Sequence, residues 1–392
     1  MDNKHVWVAI IAGGQGTRLF PISHTDRPKQ FCQLDKDNTF IQAVIRNFSG
    51  LGVKSSQFVI ITTNDNQTEL AREQTLSRGV LSQNIYQIDP TLGYSAAMYM
   101  AAEFIHSHDA NAIIINTPSD QFIDASSDDF RETMNIAVEE ARKDNAVIVG
   151  VKVNDLVVAT GCGHALYEDS ESKCSTVIGF VEKPKLKEAD KIMRQGNSAC
   201  NTGINVWKAS TLIKAINKRD IKGMPTDEMM RRLGKLKIAV GTFEWYDCGT
   251  LKSLYEISKK TPNHKNASLG PGKFERVGCR RSLFYAGEGM ELQVTGAEDD
   301  AVVFTIIKGK PIVVIAKLKD SQRIKDLAED YIRHEAFLTD DFSFGARNNM
   351  VLGSNISDDL IVGFVGVKNY VVYAHKESDG TLSAVVSRPL TK

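Results

Sequence analysis

Four short apolar runs alternate with four segments of helical periodicity over the first 151 residues of the chain. The runs typical of strands are Val6–Ala12, Phe58–Thr62, Ala112–Asn116 and Ala146–Val151. The segments typical of helices are Thr39–Phe48, Asp65–Ser77, Ser95–Ser107 and Asp128–Asp144. Near-continuous apolar strands separated by helices indicate a parallel sheet that is buried on both faces. Because crossovers between parallel strands are right-handed, we predict an α/β fold with a doubly wound, mostly parallel sheet.

A doubly wound sheet binds its ligands beyond the carboxyl ends of its strands. The predicted strands therefore point to functional residues just after Ala12, Asn116 and Val151.

The chain changes character twice after this alternation. Strand and helix patterns are mixed from Gly161 to Lys260, and Thr261–Lys273 then holds two prolines and two glycines, which predicts a linker. Beyond the linker, β-branched and aromatic residues increase, and helical periodicity is confined to Asp320–Glu335. We therefore predict a first domain over residues 1–262 and a smaller, β-rich C-terminal domain over residues 274–392.

The predicted C-terminal domain contains two similar stretches that are 59 residues apart. Asp299–Val303 followed by Pro311–Val314 resembles Asp358–Val362 followed by Tyr370–Tyr373. Two copies of a strand–turn–strand unit can build one core by stacking, which neither could do alone. We predict an internal repeat, with exposed strand edges that favour a homo-oligomer, most simply a dimer.

Composition excludes several classes of partner. The 392 residues include 48 basic and 48 acidic side chains, so the formal net charge is +0. A neutral chain has no long-range attraction to nucleic acid or to an anionic membrane, and we expect neither as a partner. Any anionic ligand must then be held by a few placed cations.

The six cysteines are scattered: Cys32, Cys162, Cys174, Cys200, Cys248 and Cys279. No two form a CxxC pair, and none has zinc-like spacing to a histidine. The N-terminal apolar run is too short for a signal peptide, and no run has the length of a membrane span. We predict reduced thiols and a cytoplasmic protein.

A glycine-rich segment, AGGQGTRLFP, follows the first predicted strand. Gly13, Gly14 and Gly16 would let backbone N–H groups approach a phosphate chain, and Arg18 offers a planar fork of donors. Neither a Walker A sequence nor GxGxxG is present, so a tight turn is the alternative interpretation. Arg27-Pro28-Lys29 follows, and its proline fixes the backbone beside Lys29, although a solvated basic turn is also possible.

Together, AGGQGTRLFP and RPKQF resemble the GGxGTRLxP…PKQ signature of the sugar-1-phosphate nucleotidylyltransferases. The Gln-Phe after the lysine is most similar to the mannose-1-phosphate guanylyltransferase branch. The resemblance implies a Rossmann-like nucleotidyltransferase domain, in which Arg18 and Lys29 neutralise charge on the reacting phosphates. It also implies that the loop wraps the nucleoside triphosphate with Ala12, Gly13, Gly14, Gln15, Gly16 and Thr17.

Two aspartates match the metal-binding positions of that family. Asp120 lies in Pro118-Ser119-Asp120, where the family has Pro-x-Asp-His, and this chain has Gln121 in place of the histidine. Asp247 lies in Tyr246-Asp247-Cys248-Gly249-Thr250, which resembles Asp-Val-Gly-Ser/Thr. The resemblance implies Mg²⁺, and carboxylates combined with phosphate oxygens suit that ion. A cap or turn role is the alternative for either aspartate.

Three further segments resemble those that hold the sugar phosphate. Thr160-Gly161-Cys162-Gly163 is similar to Thr-Gly-Tyr-Gly, FVEKP is unchanged, and Asn201-Thr202-Gly203 is similar to Asn-Ser/Thr-Gly. The resemblance implies sugar-phosphate contacts for Gly161, Glu182, Lys183 and Asn201.

The segment near the base departs from the guanylyl branch. The family has Pro-x-x-x-Asn-Thr-Ala-Pro-Ala, and here Tyr94 and Ser95 replace Asn-Thr. Both stay candidate nucleotide-binding residues, but the likeness to a guanylyl enzyme is weakest at this point.

The resemblance implies an enzyme that transfers a nucleotidyl group, most simply GMP from GTP, to a sugar-1-phosphate such as mannose-1-phosphate. Other sugar- or cyclitol-1-phosphates stay open as acceptors. Two different classes of function also stay open. One is a catalytically silent regulatory homologue that binds a nucleotide sugar, and the other is an assembly protein that works through its β-rich tail.

Overall fold

The computed structural model describes residues 3–14, 16–35, 37–334, 361–365, 367, 370–376, 379 and 381–387. The chain forms two compact units, each built from two stretches of sequence. Unit 1 comprises Met1–Gly13 and Ile41–Asp247, and unit 2 comprises Gly14–Phe40 and Cys248–Lys392. The domain boundaries at residues 262 and 274 stay predictions. The two compact units are divided at other positions. Residues 14–40, which begin at the second glycine of the motif, belong to the same unit as the C-terminal part of the chain.

Unit 1 is organised around a nine-stranded sheet. The strands of this unit are β1 Val6–Ile11, β2 Phe58–Thr62, β3 Ile85–Gln87, β4 Ile113–Pro118, β5 Phe122–Ile123, β6 Ala146–Val151, β7 His164–Tyr167, β8 Cys174–Val181, β9 Ser198–Lys208, β10 Leu236–Gly241 and β11 Trp245–Tyr246. The sheet order is β3-β2-β1-β4-β9-β6-β10-β8-β7, and β5 and β11 form a separate two-stranded ribbon.

Helices flank this sheet and supply the rest of the core. They are α1 Phe40–Gly50, α2 Asp65–Thr75, α3 Tyr94–His108, α4 Asp128–Arg142, α5 Leu156–Gly161, α6 Leu186–Gln195, α7 Ala209–Ala215 and α8 Thr226–Arg232. The alanines of α3 pack closely on β1 and β2, and large apolar side chains such as Trp207 fill the remaining space. Burial of this apolar surface drives the fold, at roughly 25 cal/mol per Å².

The prediction of a mostly parallel sheet is correct in part, because β6 and β10 also pair in parallel whereas the other neighbours beyond β4 are antiparallel. The strands β1 to β4 pair in parallel, as the alternation of strands and helices predicts. The strand β9 is antiparallel to both β4 and β6, and β7 and β8 form an antiparallel hairpin. The sheet is therefore mixed rather than mostly parallel, because antiparallel neighbours replace the parallel ones that helical crossovers would produce.

Unit 2 contains the remaining described strands. They are β12 Ala267–Leu269, β13 Lys273–Val277, β14 Leu283–Ala286, β15 Met290–Thr295, β16 Asp300–Ile307, β17 Lys310–Lys317, β18 Ile361–Val365, β19 Val371–Lys376 and β20 Leu382–Ser387. The helices α9 Leu251–Ile257 and α10 Ile324–His334 also belong to this unit. The helical periodicity of Asp320–Glu335 is confirmed by α10.

The strands of unit 2 form two sheets with the orders β12-β14-β16-β17-β18 and β13-β15-β20-β19. From β12 to β16, successive strands alternate between the two sheets, and the neighbours within each sheet are parallel. The chain thus winds back and forth between the sheets. Their facing sides share one core, which includes Phe284, Leu292 and Phe304.

The predicted linker contains a strand, and the two copies of the predicted repeat are arranged differently from each other. Residues 261–273 include β12, which pairs with β14, so this segment is not a plain linker. The first copy of the repeat forms the β16–β17 hairpin, whereas β18 and β19 of the second copy lie in different sheets. Residues 358–360 of the second copy lie outside the described residues, and the repeat stays a prediction.

The expectation of reduced thiols is wrong for one pair of cysteines. Cys162 and Cys200 form a disulfide, with their Cα atoms 5.8 Å apart, while Cys32, Cys174, Cys248 and Cys279 are free. The sequence gives no spacing signal for this pair, because 38 residues separate its members and the fold brings them together. Among the helices that the structure describes, none combines the length and the apolar character needed to cross a membrane.

Candidate active site

The glycine motif begins at the carboxyl end of β1. The Ala12 N–H donates to the carbonyl of Ile61 at 2.7 Å, so the sheet ladder extends one residue beyond β1. A side chain at Gly13 would lie 2.6 Å from Thr63 Cγ2. The Thr63 hydroxyl in turn donates to the Gly13 carbonyl at 3.3 Å. Contacts with β2 and with Thr63, which directly follows it, therefore fix Ala12 and Gly13.

The motif continues in unit 2 as a loop that is closed on itself. Gly16 has a φ of +67°, and a Cβ on this residue would overlap Lys29 Cβ. The Gln30 side chain donates to the Gly14 carbonyl at 3.0 Å, and the Ser23 hydroxyl donates to the Gly16 carbonyl. The two sequence motifs thus pack against each other, and glycine is required at position 16 for both conformation and space.

The two predicted catalytic cations differ in exposure. Arg18 is exposed and lies in the short 3-10 turn Thr17–Leu19, whereas Lys29 is only 3% exposed. The Lys29 ammonium lies 5.4 Å from the centroid of the Phe40 ring, within the range of a cation–π contact. Gln15 lies outside the described residues, and the backbone of Thr17 belongs to the same turn as Arg18.

A helix from the C-terminal part of the chain supports this loop, which the sequence does not predict. The Phe20 ring lies 5.2 Å from the Tyr331 ring of α10, measured between centroids. A small gap between them is lined by Ser23, His24 and Ala328, among others. No local pattern could reveal this contact, because its partners lie in distant parts of the sequence.

The two predicted metal-binding aspartates flank the β5–β11 ribbon of unit 1. Tyr246 pairs with Phe122 in antiparallel register, and their ring centroids lie 6.2 Å apart. Continuing that register places Asp247 opposite Gln121, which directly follows Asp120. The two aspartates therefore lie at the same end of the ribbon, although they are far apart in the sequence.

A buried hydrogen bond fixes the ribbon beside these carboxylates. The Trp245 indole N–H donates to Gln121 Oε1 at 2.5 Å, and both residues are less than a tenth exposed. Since an indole nitrogen can only donate, the amide oxygen of Gln121 must face it. Gln121 occupies the position where the resemblance has histidine, so a neutral acceptor here replaces a titratable ring. The sequence shows that glutamine replaces the histidine, but it does not show that Trp245 is the hydrogen-bond partner of Gln121.

The donor set at this end of the ribbon fits a hard divalent cation. Asp120 is partly exposed and Asp247 is exposed, and both supply carboxylate oxygens. Mg²⁺ favours one or two protein carboxylates and completes its shell with water and phosphate oxygens. The residues present therefore fit the magnesium site that the resemblance implies.

Tyr94 and Ser95, the candidates near the base, are oriented differently. Tyr94 is 38% exposed, and desolvation together with the charge of Asp120 raises the pKa of its phenol. Ser95 is buried, and its hydroxyl lies 3.5 Å from that of Thr226. The structure therefore brings Tyr94 near a predicted metal-binding aspartate and directs the Ser95 hydroxyl into the contact between α3 and α8.

Asn201 joins the predicted sugar residues to the end of β4. Its N–H donates to the Gly163 carbonyl at 2.8 Å, and its side-chain oxygen accepts from the Gly203 N–H at 2.9 Å. A Cβ on Gly203 would lie 2.9 Å from Pro118, so the Asn201–Gly203 turn packs on the residue two positions before Asp120. The Asn201–Gly203 segment therefore lies next to the end of β4, where the sequence predicts functional residues.

The other predicted sugar residues lie close to Gly163. The Glu182 carboxylate covers this residue, because a Cβ on Gly163 would lie 2.6 Å from Glu182 Oε2. Lys183 adopts a positive φ of 42°, and its ammonium lies 3.7 Å from Glu182 Oε1. The Lys183 and Glu182 side chains are 61% and 76% exposed, and Gly161 is exposed at the end of α5. The exposed ammonium can bind a phosphate, whereas the adjacent carboxylate can accept hydrogen bonds from hydroxyl groups.

A second group of potential ligands lies beside these residues. Cys162, His164 and Cys200 are buried, with their ligand atoms within 4.8 Å of one another. Sequence analysis missed this group, because its spacing is Cys-x-His followed by a distant cysteine. In the oxidised state the sulfurs are bonded to each other and cannot bind a metal ion. Only a reduced pair could do so.

Comparisons with known proteins identify the family of the chain. The nucleotidyl transferase family model matches residues 8–264. Mannose-1-phosphate guanylyltransferase 2 of Escherichia coli O157:H7 is 25% identical over 385 residues, covering 85% of this chain and 77% of that protein. Alginate biosynthesis protein AlgA of Pseudomonas aeruginosa is 24% identical over 356 residues. The alignment covers 82% of this chain and 71% of AlgA.

A solved structure shares the fold. The crystal structure of a Thermus thermophilus protein described as a mannose-1-phosphate geranyltransferase superposes with a TM-score of 0.69. It is 21% identical, and the alignment covers 85% of this chain and all of that chain.

Proposed function

The chain belongs to the nucleotidyl transferase family, and we propose that it transfers GMP from GTP to mannose-1-phosphate, forming GDP-mannose and releasing pyrophosphate. The similarity to mannose-1-phosphate guanylyltransferase 2 of Escherichia coli O157:H7 supports this choice of donor and acceptor. The observation that carries the proposal is the β5–β11 pairing, which brings Asp120 and Asp247 to one end of a ribbon. Two carboxylates at one end of a ribbon offer oxygen ligands for a divalent cation, which a reaction between two polyanions needs for charge neutralisation.

The reaction joins two anions, and its main requirements are positioning and charge neutralisation. In the proposed mechanism, the Lys183 ammonium holds the phosphate of the sugar phosphate. An oxygen of that phosphate attacks the α-phosphorus of GTP in line, and pyrophosphate leaves. Arg18 and Lys29 stabilise the negative charge on the phosphoryl group during transfer.

The remaining residues have binding roles. The backbone N–H groups of the glycine loop contact the triphosphate, and Tyr94 lies near the base. Glu182 and Asn201 accept or donate hydrogen bonds with the sugar hydroxyls, and Gly161 leaves room for the ring. Because the Ser95 hydroxyl is engaged with Thr226, we assign Ser95 a supporting role beside Tyr94.

The family typically uses a divalent metal ion, and we propose Mg²⁺, held by Asp120 and Asp247. When bound, such an ion neutralises charge on the phosphates. The Trp245–Gln121 hydrogen bond keeps the two carboxylates at the same end of the ribbon in the absence of the ion.

The test is pyrophosphate release, scanned over five nucleoside triphosphates and a panel of sugar-1-phosphates with Mg²⁺. We expect the highest kcat/KM for GTP with mannose-1-phosphate. A higher value for another pair would reassign the substrates. Thermal stabilisation by GDP-mannose without any turnover would instead identify a regulatory homologue that only binds the nucleotide sugar.

We also propose a homodimer through residues after Lys273. The strand β13 is an edge strand, and Val277 within it is 57% exposed. Unpaired edges of this kind favour pairing with a second copy. Light scattering behind size exclusion should give twice the mass of the chain, and a truncation at residue 273 that stayed dimeric would contradict this surface.

A further inference from the structure

The Cys162–Cys200 disulfide lies among the residues proposed to hold the sugar phosphate. Cys162 directly follows Gly161, and Cys200 directly precedes Asn201. The Asn201 N–H donates to the Gly163 carbonyl, and Glu182 lies over Gly163. The disulfide therefore joins the two chain segments that position this part of the site.

A histidine lies beside both sulfurs. His164 Nε2 is 3.6 Å from Cys162 Sγ, 3.7 Å from Cys200 Sγ and 2.8 Å from the Ala159 carbonyl oxygen. Because a carbonyl can only accept, Nε2 must carry the hydrogen. This N–H is within reach of either sulfur and can stabilise a thiolate that forms when the bond opens.

The other cysteines with resolved shifts are poorly suited to redox chemistry. Burial raises the pKa of Cys32 to about 12 and that of Cys174 to about 11. Burial also raises the pKa of Cys279. Such thiols stay protonated and are weak nucleophiles. The pair is distinguished from these thiols by the adjacent His164 ring and by its position among the sugar-phosphate residues.

A reagent can approach the pair from a cleft of about 260 Å³ in unit 1. His164 and Cys200 line this cleft together with Lys152 and Asn154. Cys162 retains 7% exposure and Cys200 has none, so Cys162 is the sulfur more open to a small thiol.

We propose that Cys162 and Cys200 form a reversible thiol–disulfide pair whose oxidation state sets the affinity for the sugar phosphate. Two low-molecular-weight thiols reduce the pair, through a mixed disulfide, to two cysteine thiols and one small disulfide. Two electrons and two protons are transferred, and the same small disulfide reverses the reaction. The effect on affinity rests on the proposed function, whereas the chemistry of the pair does not.

The expected effect of reduction is local. Residues 164–166 of β7 stay paired with residues 198–200 of β9 through the backbone ladder. The segment before His164 loses its covalent tie to Cys200. Gly161 and Gly163 then gain freedom relative to Asn201, which should weaken sugar-phosphate binding and leave the nucleotide affinity unchanged.

The test compares the full-length protein equilibrated with glutathione disulfide and with dithiothreitol. Alkylation and mass spectrometry should find four free thiols in the oxidised protein and six in the reduced protein. Reduction should raise the KM for mannose-1-phosphate about threefold or more and leave the KM for GTP unchanged. The double variant Cys162→Ser/Cys200→Ser should match the reduced enzyme and ignore both reagents, while the matched control Cys174→Ser should respond like the wild type.

Hydrogen exchange supplies a readout that does not depend on turnover. Reduction should speed exchange in residues 156–163 and leave the β7–β9 ladder protected. Six free thiols under both conditions, or identical exchange in both states, would overturn the redox pair. An unchanged KM for mannose-1-phosphate despite a changed thiol count would overturn its control of affinity. Changed exchange in a protein that forms no product from any substrate pair would support the redox pair and overturn the proposed transferase reaction.

Discussion

Lys29 of unit 2 is fixed by packing against the glycine loop, whereas Lys183 and Glu182 of unit 1 stand in solvent, as does Arg18 of the loop. Gly16 abuts Lys29, and Lys29 is almost fully buried. Lys183 and Glu182 are exposed, and a disulfide ties the segment before β7 to β9 beside them. A packed cation is already in place before substrate arrives, while an exposed cation loses conformational freedom on binding. Changes in the loop should therefore affect turnover, and changes in the sugar-phosphate segments should affect affinity.

The largest expected effect follows removal of a loop cation. Arg18→Ala and Lys29→Ala should each lower kcat by about 10²–10³-fold, the usual range for losing one group that stabilises transition-state charge. The KM for GTP should change much less. Steady-state kinetics against Arg219→Ala, which removes an exposed arginine outside the candidate site, gives the control. Unchanged turnover in both loop variants would remove Arg18 and Lys29 from catalysis.

Gly16→Ala should have the next largest effect. A Cβ at this position overlaps Lys29 Cβ, and the positive φ costs about 1–2 kcal/mol for any L-residue with a side chain. Lys29 must shift, and a displacement near 1 Å can lower turnover about 10²-fold. The matched control is Gly50→Ala, where nothing lies within 4 Å of the new Cβ. Equal kcat in the two alanine variants would show that the loop is not packed as described.

Sequence reasoning recovers individual strands, including β6 in the second half of the sheet, but not how the strands of that half pair. The runs around β2 and β6 are predicted to the residue, because a strand buried on both faces is apolar throughout. The antiparallel insertion of β9 is missed, since periodicity identifies a strand but not its neighbours. Periodicity also does not show that residues 14–40 group with the C-terminal part, because it identifies elements but not their neighbours.

The candidate site was predictable where the motifs are contiguous. Gly16 and Lys29 belong to short, dense motifs, and the structure packs them together. The Trp245–Gln121 bond and the Cys162–His164–Cys200 group join residues far apart in sequence, and only the fold reveals them. The disulfide also overturns the reasonable expectation that scattered cysteines in a long chain stay reduced.

A smaller effect, on affinity alone, is expected in the sugar-phosphate segments. Lys183→Ala should raise the KM for mannose-1-phosphate by about 10–100-fold, which corresponds to losing a hydrogen bond to a charged group. The kcat and the KM for GTP should stay within a small factor of wild type. Lys185→Ala removes the same charge from an exposed lysine two residues away and is the control. If kcat fell instead of affinity, the contrast between the two regions would be wrong.

The smallest expected effect concerns the ribbon that holds the two aspartates. Trp245→Phe keeps an aromatic ring but removes the hydrogen bond to Gln121, which is worth about 0.5–1.5 kcal/mol net. The dissociation constant for Mn²⁺, measured by electron paramagnetic resonance on the free protein, should rise about 2–10-fold. Trp207→Phe is the control, because the buried Trp207 N–H has no hydrogen-bond partner among the described residues. Equal Mn²⁺ affinity in both variants would deny the ribbon a positioning role.

The central claim, attack of a sugar phosphate oxygen on the α-phosphorus of GTP, can be tested with isotopes. Mannose-1-phosphate is labelled with ¹⁸O at its non-bridging phosphate oxygens and incubated with GTP, Mg²⁺ and the enzyme. Mass spectrometry should find all of the label in GDP-mannose and none in pyrophosphate. Label in the pyrophosphate, or no labelled nucleotide sugar at all, would contradict the account.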